Sequence, residues 1–306
     1  MKGPDRYNAY GRWLRNRFGS RVHKVSIDGG FTCPNRDGAV AWGGCTYCNN
    51  ESFRAPGAEP GKPDAEQIRD GIRFLAGRYR AGKFLVYWQN YTNTYAPAAA
   101  LRERYARALD VDPRIVGMTV GTRPDCLEEE KLETILEVTG DRYTCIEIGV
   151  ESIYDQTLRR VNRGHDFRCT EEAVRRVRAR GLDVCAHVVL GFPGESRAQL
   201  LAYPAVLNRL DIQFVKIHHL HVVRGTALAR EYEQRPFPVF SLEQWADLLS
   251  EFIVRLDPRI VLQRLFGWTP EHHLIAPCWN ADRATILRKI ETTLEERDVW
   301  QGSGGI

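Results

Sequence analysis

Three cysteines carry the most specific chemical signal in this chain of 306 residues. Cys33, Cys45 and Cys48 stand in a Cys-x11-Cys-x2-Cys arrangement, the first in Cys33-Pro-Asn-Arg-Asp-Gly and the others in Gly43-Gly-Cys45-Thr-Tyr-Cys48. A Cys-x2-Cys pair turns two sulfurs toward one centre, and a loop rich in Gly and Pro can return a third. Three thiolates with no fourth cysteine nearby would ligate three irons of a [4Fe–4S] cube and leave one iron open for chemistry. A zinc site is the rival reading, because Cys3His is a common structural set and His23 precedes the loop. Unrelated buried thiols are the third reading, and they are the expectation for Cys126, Cys145, Cys169, Cys185 and Cys278. Tyr47, between the paired cysteines, is placed where an aromatic ring could pack on a bound nucleoside.

Other polar residues fall at the ends of apolar runs. The segment Tyr87-Trp-Gln-Asn-Tyr-Thr-Asn-Thr94 offers Asn90, Thr92 and Asn93 as neutral donors and acceptors suited to a zwitterion, or simply as a turn. Glu147, Gly149 and Glu151 alternate with Ile146, Ile148 and Val150, so on a strand the two sets face opposite ways. By the same alternation Lys216 and His218 share one face. Together with His187 they are the candidates for acid–base work, although interior histidines are more often structural.

The elements that must position these residues alternate between short β-rich runs and longer helical patterns. Strands are predicted at Val22–Ile27, Phe84–Trp88, Ile115–Val120, Tyr143–Val150, Val184–Leu190 and Phe214–His218. Helices are predicted near 64–80, 97–109, 127–138, 168–180 and 196–209, with Asp64 and Thr170 as N-caps and Gly140 and Gly181 as stops. Six strands joined by helical crossovers imply a parallel α/β sheet, either a partial (β/α)6 TIM-like barrel or a doubly wound sheet. The cysteine loop follows the first strand, at the end of the barrel where such folds carry chemistry.

Residues 1–24 hold seven Lys/Arg, Lys2 among them, against one Asp, a local charge of +6 in a chain of net charge +4. Tyr10, Trp13, Leu14 and Phe18 lie at i, i+3, i+4 and i+8, the spacing of one helix face. Residues 1–21 therefore read as a basic helical segment that docks through that face or binds an anionic partner such as RNA. Residues 22–221 read as the barrel, and 222–306 as a C-terminal α/β extension packed on it, with a helix at 242–255, a strand at 260–265 and a helix at 282–298. No run approaches the roughly 18 apolar residues of a membrane helix and no secretory signal is evident, so a cytoplasmic protein with reduced thiols and no membrane partner is expected.

The three-cysteine loop with an aromatic before its last Cys, on strand one of six βα units, resembles the radical S-adenosylmethionine (radical SAM) superfamily. Within it, Val25-Ser-Ile-Asp-Gly-Gly-Phe, Thr92-Asn-Thr-Tyr-Ala-Pro97, Gly121-Thr-Arg-Pro-Asp-Cys-Leu127, Asn162-Arg-Gly-His165 and Lys216-Ile-His218 resemble a bacterial family of elongator-like radical SAM proteins. The stretch Ile146-Glu-Ile-Gly-Val-Glu-Ser-Ile is also similar to the radical SAM domain of the elongator catalytic subunit. The resemblance implies a [4Fe–4S] cluster on Cys33, Cys45 and Cys48. It also implies bound S-adenosylmethionine (SAM) cleaved to a 5′-deoxyadenosyl radical, and an electron donor such as flavodoxin or ferredoxin.

The resemblance further implies that Asn90, Thr92 or Asn93 holds the methionine amino group, Arg163 the carboxylate, Glu151 and Ser152 the ribose, and Leu190 and Gly191 the adenine. Relatives carry Gln at position 151, so Glu151 keeps the acceptors and loses an amide donor. The implied substrate is tRNA, at the wobble-uridine side chain. Elongator's acetyl-transfer chemistry is not carried over, because the barrel and extension leave no room for that domain. A radical enzyme acting on a small metabolite and a non-catalytic zinc-bearing RNA-binding module are the alternatives.

Overall fold

The computed structural model describes residues 5–305, so Lys2 of the basic segment lies outside the described residues. Seven parallel strands form one curled sheet: β1 (Val22–Ile27), β2 (Lys83–Trp88), β3 (Ile115–Thr122), β4 (Tyr143–Glu151), β5 (Asp183–Leu190), β6 (Phe214–His219) and β8 (Val261–Arg264). Two short strands, β7 (Val222–Val223) and β9 (Leu274–Ala276), pair antiparallel beside it. The strands of the large sheet follow one another in sequence order, with no reversal. A doubly wound sheet must reverse at a switch point, so the partial barrel is the fold.

The helices are α1 (Tyr10–Phe18), α2 (Asp64–Tyr79), α3 (Ala98–Leu109), α4 (Glu129–Thr139), α5 (Asp155–Arg160), α6 (Phe167–Arg178), α7 (Arg197–Leu200), α8 (Tyr203–Leu207), α9 (Ala227–Gln234), α10 (Leu242–Val254) and α11 (Arg283–Glu296). One helix predicted over 196–209 is two, because Pro204 in the first turn of α8 has no N–H to continue α7. The cap expected at Thr170 is instead Asp166, whose side chain accepts from the Cys169 N–H, while Thr170 is buried inside α6. Asp64 is likewise not a cap but the first residue of α2, paired with Arg104. The extension does more than pack on the barrel, since its strand β8 pairs with β6 as the sheet's seventh member.

Alternation sorts the strand residues into two environments. Val25, Ile27, Val86, Ile146, Ile148, Val188 and Leu190 face outward and make the main core beneath the helices. The inward residues form layers. At the N-terminal end of the strands Cys145, Cys185, Phe214 and Val261 make an apolar floor, which α1 closes with Tyr10 and Trp13. The Tyr10 ring meets Phe214 edge-on at 5.5 Å, and Trp13 meets Tyr143 at 5.5 Å. Docking by the aromatic face of α1 is thus realised, at the end of the barrel away from the cysteine loop. Above that floor the interior turns polar.

Candidate active site

The cysteine loop leaves β1 and folds over the C-terminal ends of the strands. The Cys33 carbonyl accepts from the Arg36 N–H at 2.8 Å, and the Cys45 carbonyl from the Cys48 N–H at 3.0 Å, which makes the compact Cys-x2-Cys turn. Gly43 and Gly44 precede it at φ +79° and +82°, left-handed conformations that side chains resist. Thr46 N–H donates to the Val161 carbonyl and Leu228 N–H to that of Thr46, tying the loop to α5 and α9. All three thiols line one cavity of about 250 Å³. Asn35 and Arg163 approach the Cys45 sulfur at 3.5 and 3.7 Å, and Asn50 approaches that of Cys48 at 3.5 Å, so N–H groups already point at the sulfurs. Burial, then Cys45, pushes the Cys48 thiol up to about 12, with Arg36 opposing.

A single zinc ion fits this arrangement poorly. Bonds of about 2.3 Å in a tetrahedron bring sulfurs to about 3.8 Å. Among the described residues, only Glu147, Cys185 and His187 bring three such ligand atoms within 4.8 Å of one another. His23, the candidate fourth ligand, stacks on Tyr79 at 4.9 Å, near the start of β1 rather than at the loop. A cube spreads its three thiolates farther apart than one ion does, and the donor set, three thiols facing one cavity, suits it.

Beside the cysteines the cavity is lined by Tyr47, Thr92, Arg123, Gly149, Glu151 and Arg163. A register shift between Gly149 and Glu151, with Glu151 at φ +64°, carries this carboxylate into the cavity. Arg163 is buried; its Nη2 donates to the Gly149 carbonyl at 2.6 Å and lies 3.6 Å from Glu151 Oε1. Burial raises the Glu151 pKa against the pull of Arg163. Arg123 is held by Asp125 through contacts of 2.8 and 2.7 Å. Arg123 Nη1 and Arg163 Nε remain buried without a hydrogen-bond partner, two N–H groups that a ligand carboxylate would satisfy. A Cβ at Gly149 would lie 2.6 Å from both Arg163 Nη2 and Glu151 Oε1, so only glycine leaves this cradle open. Behind the wall, Tyr47 packs on Phe192 at 5.2 Å.

Several residues predicted for the site stand elsewhere. Tyr91 adopts φ +61° and breaks the alternation of the strand end, so only Thr92 of the three polar candidates lines the cavity. Asn90 donates to the Asn50 carbonyl at 3.3 Å, and Asn93 to the carbonyls of Trp88 and Gly121 at 3.1 and 2.8 Å. Ser152 is bonded to Glu195 and Tyr203. Leu190 faces the outer core, leaving Val189 at the cavity, and Gly191 faces Phe240.

The deep end of the cavity is titratable. The fully buried Glu147 accepts from Lys24 and Lys216, and His187 Nε2 stands 2.7 Å from the same carboxylate. Burial, with Lys216 next, lowers His187 to about 4. His218 and His221 also line the cavity, and His221 links Thr269 and His219 at 2.8 and 2.7 Å. The alternation around Glu147 was visible in the sequence, and so was the shared face of Lys216 and His218. Lys24, Tyr87 and Arg264 were missed. Lys24 and Tyr87 also alternate with apolar residues on their strands, which was the available signal.

Comparison with known proteins agrees with this geometry. Residues 33–203 match the family model of the radical SAM superfamily, and residues 212–296 that of the Radical_SAM C-terminal domain. The Escherichia coli protein YhcC is 36% identical over 297 residues, covering 97% of this chain and 94% of its own. A tRNA uridine(34) acetyltransferase of Methanocaldococcus infernus is 27% identical over 162 residues, 49% of this chain and 30% of that protein. The solved structure of Methanocaldococcus infernus Elp3 with an N-terminal deletion superposes with a TM-score of 0.72 at 18% identity, over 92% of this chain and 64% of that one. This chain therefore spans less than two thirds of the solved Elp3 chain.

Proposed function

The chain belongs to the radical SAM superfamily, and from that membership we propose that it modifies the side chain of wobble uridine in tRNA. It is a radical SAM enzyme whose cofactors are a [4Fe–4S] cluster and SAM. When bound, they supply reductive cleavage of the sulfonium and a 5′-deoxyadenosyl radical that abstracts hydrogen; the protein's own work is binding, orientation and exclusion of water.

In this reading Cys33, Cys45 and Cys48 hold the cluster. Arg123 and Arg163 take the methionine carboxylate and Thr92 the amino group. Glu151 accepts from the ribose hydroxyls, while Tyr47 and Val189 flank the adenine. An outer depression of about 380 Å³, lined by Arg36, Trp42 and Arg230, reaches Cys45 and Cys48 from the solvent side. A reduced flavodoxin- or ferredoxin-like donor would supply the electron that the cluster needs.

The observation that carries the tRNA assignment is that half of this chain aligns with a tRNA uridine(34) acetyltransferase. The cavity is consistent with it: Phe53 lines it, Trp42, 76% exposed, lines the outer depression that shares Cys45 and Cys48 with it, and unpaired RNA bases are recognised by stacking on such rings. The test is mass spectrometry of tRNA nucleosides from cells with and without the gene. A wobble-uridine derivative should disappear or be replaced by its precursor, and an unchanged profile would turn the assignment toward a small metabolite. Anaerobically purified protein should be brown with four irons per chain, as a cube requires. A colourless protein holding one zinc would sink the redox reading.

A further inference from the structure

Two lysines share one carboxylate in the middle of the barrel, and only one of them lines the cavity. Glu147 Oε1 accepts from Lys24 and Oε2 from Lys216. Lys24 is housed as a permanent cation. Gln263 Oε1 also accepts from it at 2.9 Å, and its ammonium lies 5.0 and 4.9 Å from the ring centres of Tyr10 and Tyr87. Lys216 stands 4.4 Å from the same Tyr87 ring, donates to the Tyr87 hydroxyl at 3.0 Å, and lines the cavity. With His187 neutral, two ammonium groups face one carboxylate, so the cluster carries one proton more than it can neutralise.

We propose that Lys216 takes a proton from the substrate in this cavity, with Lys24 and Glu147 as positioning residues that set its basicity. The proposal rests on reading the cavity as the substrate site. The groups facing Lys216 come from six strands: Lys24 on β1, Tyr87 on β2, Glu147 on β4, Cys185 and His187 on β5, His218 on β6 itself and Arg264 on β8. Burial, opposed by Glu147 and reinforced by Lys24, lowers Lys216 to about 8. Glu147 instead carries Lys24 above the ordinary lysine range. Two like groups pushed apart in this way divide the labour: one stays charged and the other exchanges its proton.

A substrate entering the cavity displaces water, which raises the cost of the surplus charge and favours the neutral amine of Lys216. The step is one proton transfer. A substrate N–H, O–H or acidified C–H bond breaks with its electron pair left on the substrate, and the proton bonds to the lone pair of Nζ. Glu147 then pairs the new ammonium.

Trace labelling with acetic anhydride from about pH 6 to about pH 11, read lysine by lysine by mass spectrometry, gives each amine its midpoint in the cluster-loaded protein. Lys216 should titrate near 8, and Lys24→Gln should move that midpoint upward by about one unit, because a neighbouring cation is removed. A Lys216 that titrates with surface lysines near about 10.4, or a midpoint indifferent to Lys24→Gln, overturns the proposal.

Lys216→Arg supplies a second readout, since it keeps a cation on Glu147 but offers no lone pair at neutral pH. The ratio of modified nucleoside to released 5′-deoxyadenosine should fall about 100-fold, and an unchanged ratio overturns the proposal. Were tRNA not the substrate, wild type and variant alike would leave nucleosides untouched while the labelling midpoint still reported on Lys216, so the two readings fail separately.

Discussion

Arg163 lies 3.7 Å from the Cys45 sulfur through Nη1 and donates to the Gly149 carbonyl at 2.6 Å through Nη2. One buried guanidinium thus joins the cluster loop to the end of β4, with Glu151 as its counter-charge. Arg163→Met should strand that buried carboxylate and cost about 3–5 kcal/mol in denaturant unfolding of the metal-free chain. Adding Glu151→Gln should recover part of the loss, because the orphaned charge is then gone. A double variant no more stable than the single one would show that the pair is not coupled.

The same logic applies with opposite sign at Glu147, whose loss leaves two lysines facing each other. Glu147→Gln should destabilise the fold by about 3–5 kcal/mol near neutral pH. The Glu147 pKa lies well below the usual carboxylate range, against the cost of burial and because of Lys216 and Lys24. A group depressed in the folded state contributes stability above its unfolded pKa of about 4.3 and loses it as pH falls through the folded value. The gap between wild type and variant should therefore hold steady from neutral pH down to about 5 and close only in stronger acid. A gap that closes already near neutral pH would contradict the charge assignment.

Four buried or half-buried histidines set a second acid limit. His187 and His221 are lowered to about 4, both chiefly by burial. His218 and His219 are lowered well below the ordinary value for the same reason. Below about pH 6.5 the unfolded chain takes up protons that the folded chain refuses, so stability declines as pH drops from there toward 4, at about 1.4 kcal/mol per unit of depression for each histidine. Melting temperature should fall steadily between pH 7 and 5, and His221→Gln should flatten that slope. A slope unchanged in the variant would remove His221 from the account.

How far the sequence could be read follows from the range of the interactions. The strands of the large sheet were legible to within two residues, because β-branched runs such as Val22–Ile27 announce themselves locally and a buried parallel sheet is apolar on one face throughout, whereas the two- and three-residue strands β7 and β9 went unseen. The short α5 and α9 went unseen, since one or two turns leave little periodicity. Asn93 was misplaced because left-handed Tyr91 reverses the facing of everything after it, and nothing in its identity demands that conformation; Asn90 faces away by plain alternation with Gln89 and Tyr91, which line the cavity. Lys24 and Glu147 are 123 residues apart in sequence. Their pairing is a property of the closed barrel and of the register that sets His187 beside Lys216, which no local pattern encodes.

The basic N-terminal helix gives the last expectation. α1 seals the N-terminal ends of the strands through Trp13, which meets Phe214 at 4.7 Å, and through Leu14, packed on Val22. Trp13→Ala should cost about 3 kcal/mol, whereas Arg15→Gln with Arg17→Gln, both on the exposed face, should change stability by no more than about 0.5 kcal/mol each. Because this charge lies at the far end of the barrel from Cys33, Cys45 and Cys48, it cannot steer a base into the cavity. Neutralising both arginines should leave binding of a short anticodon stem-loop unchanged, while Trp42→Ala at the cluster loop should weaken it about tenfold or more, the value of one stacked base. The reverse outcome, with affinity lost on removing Arg15 and Arg17 and kept without Trp42, would place the RNA on the opposite end of the molecule and detach nucleic-acid binding from the radical site.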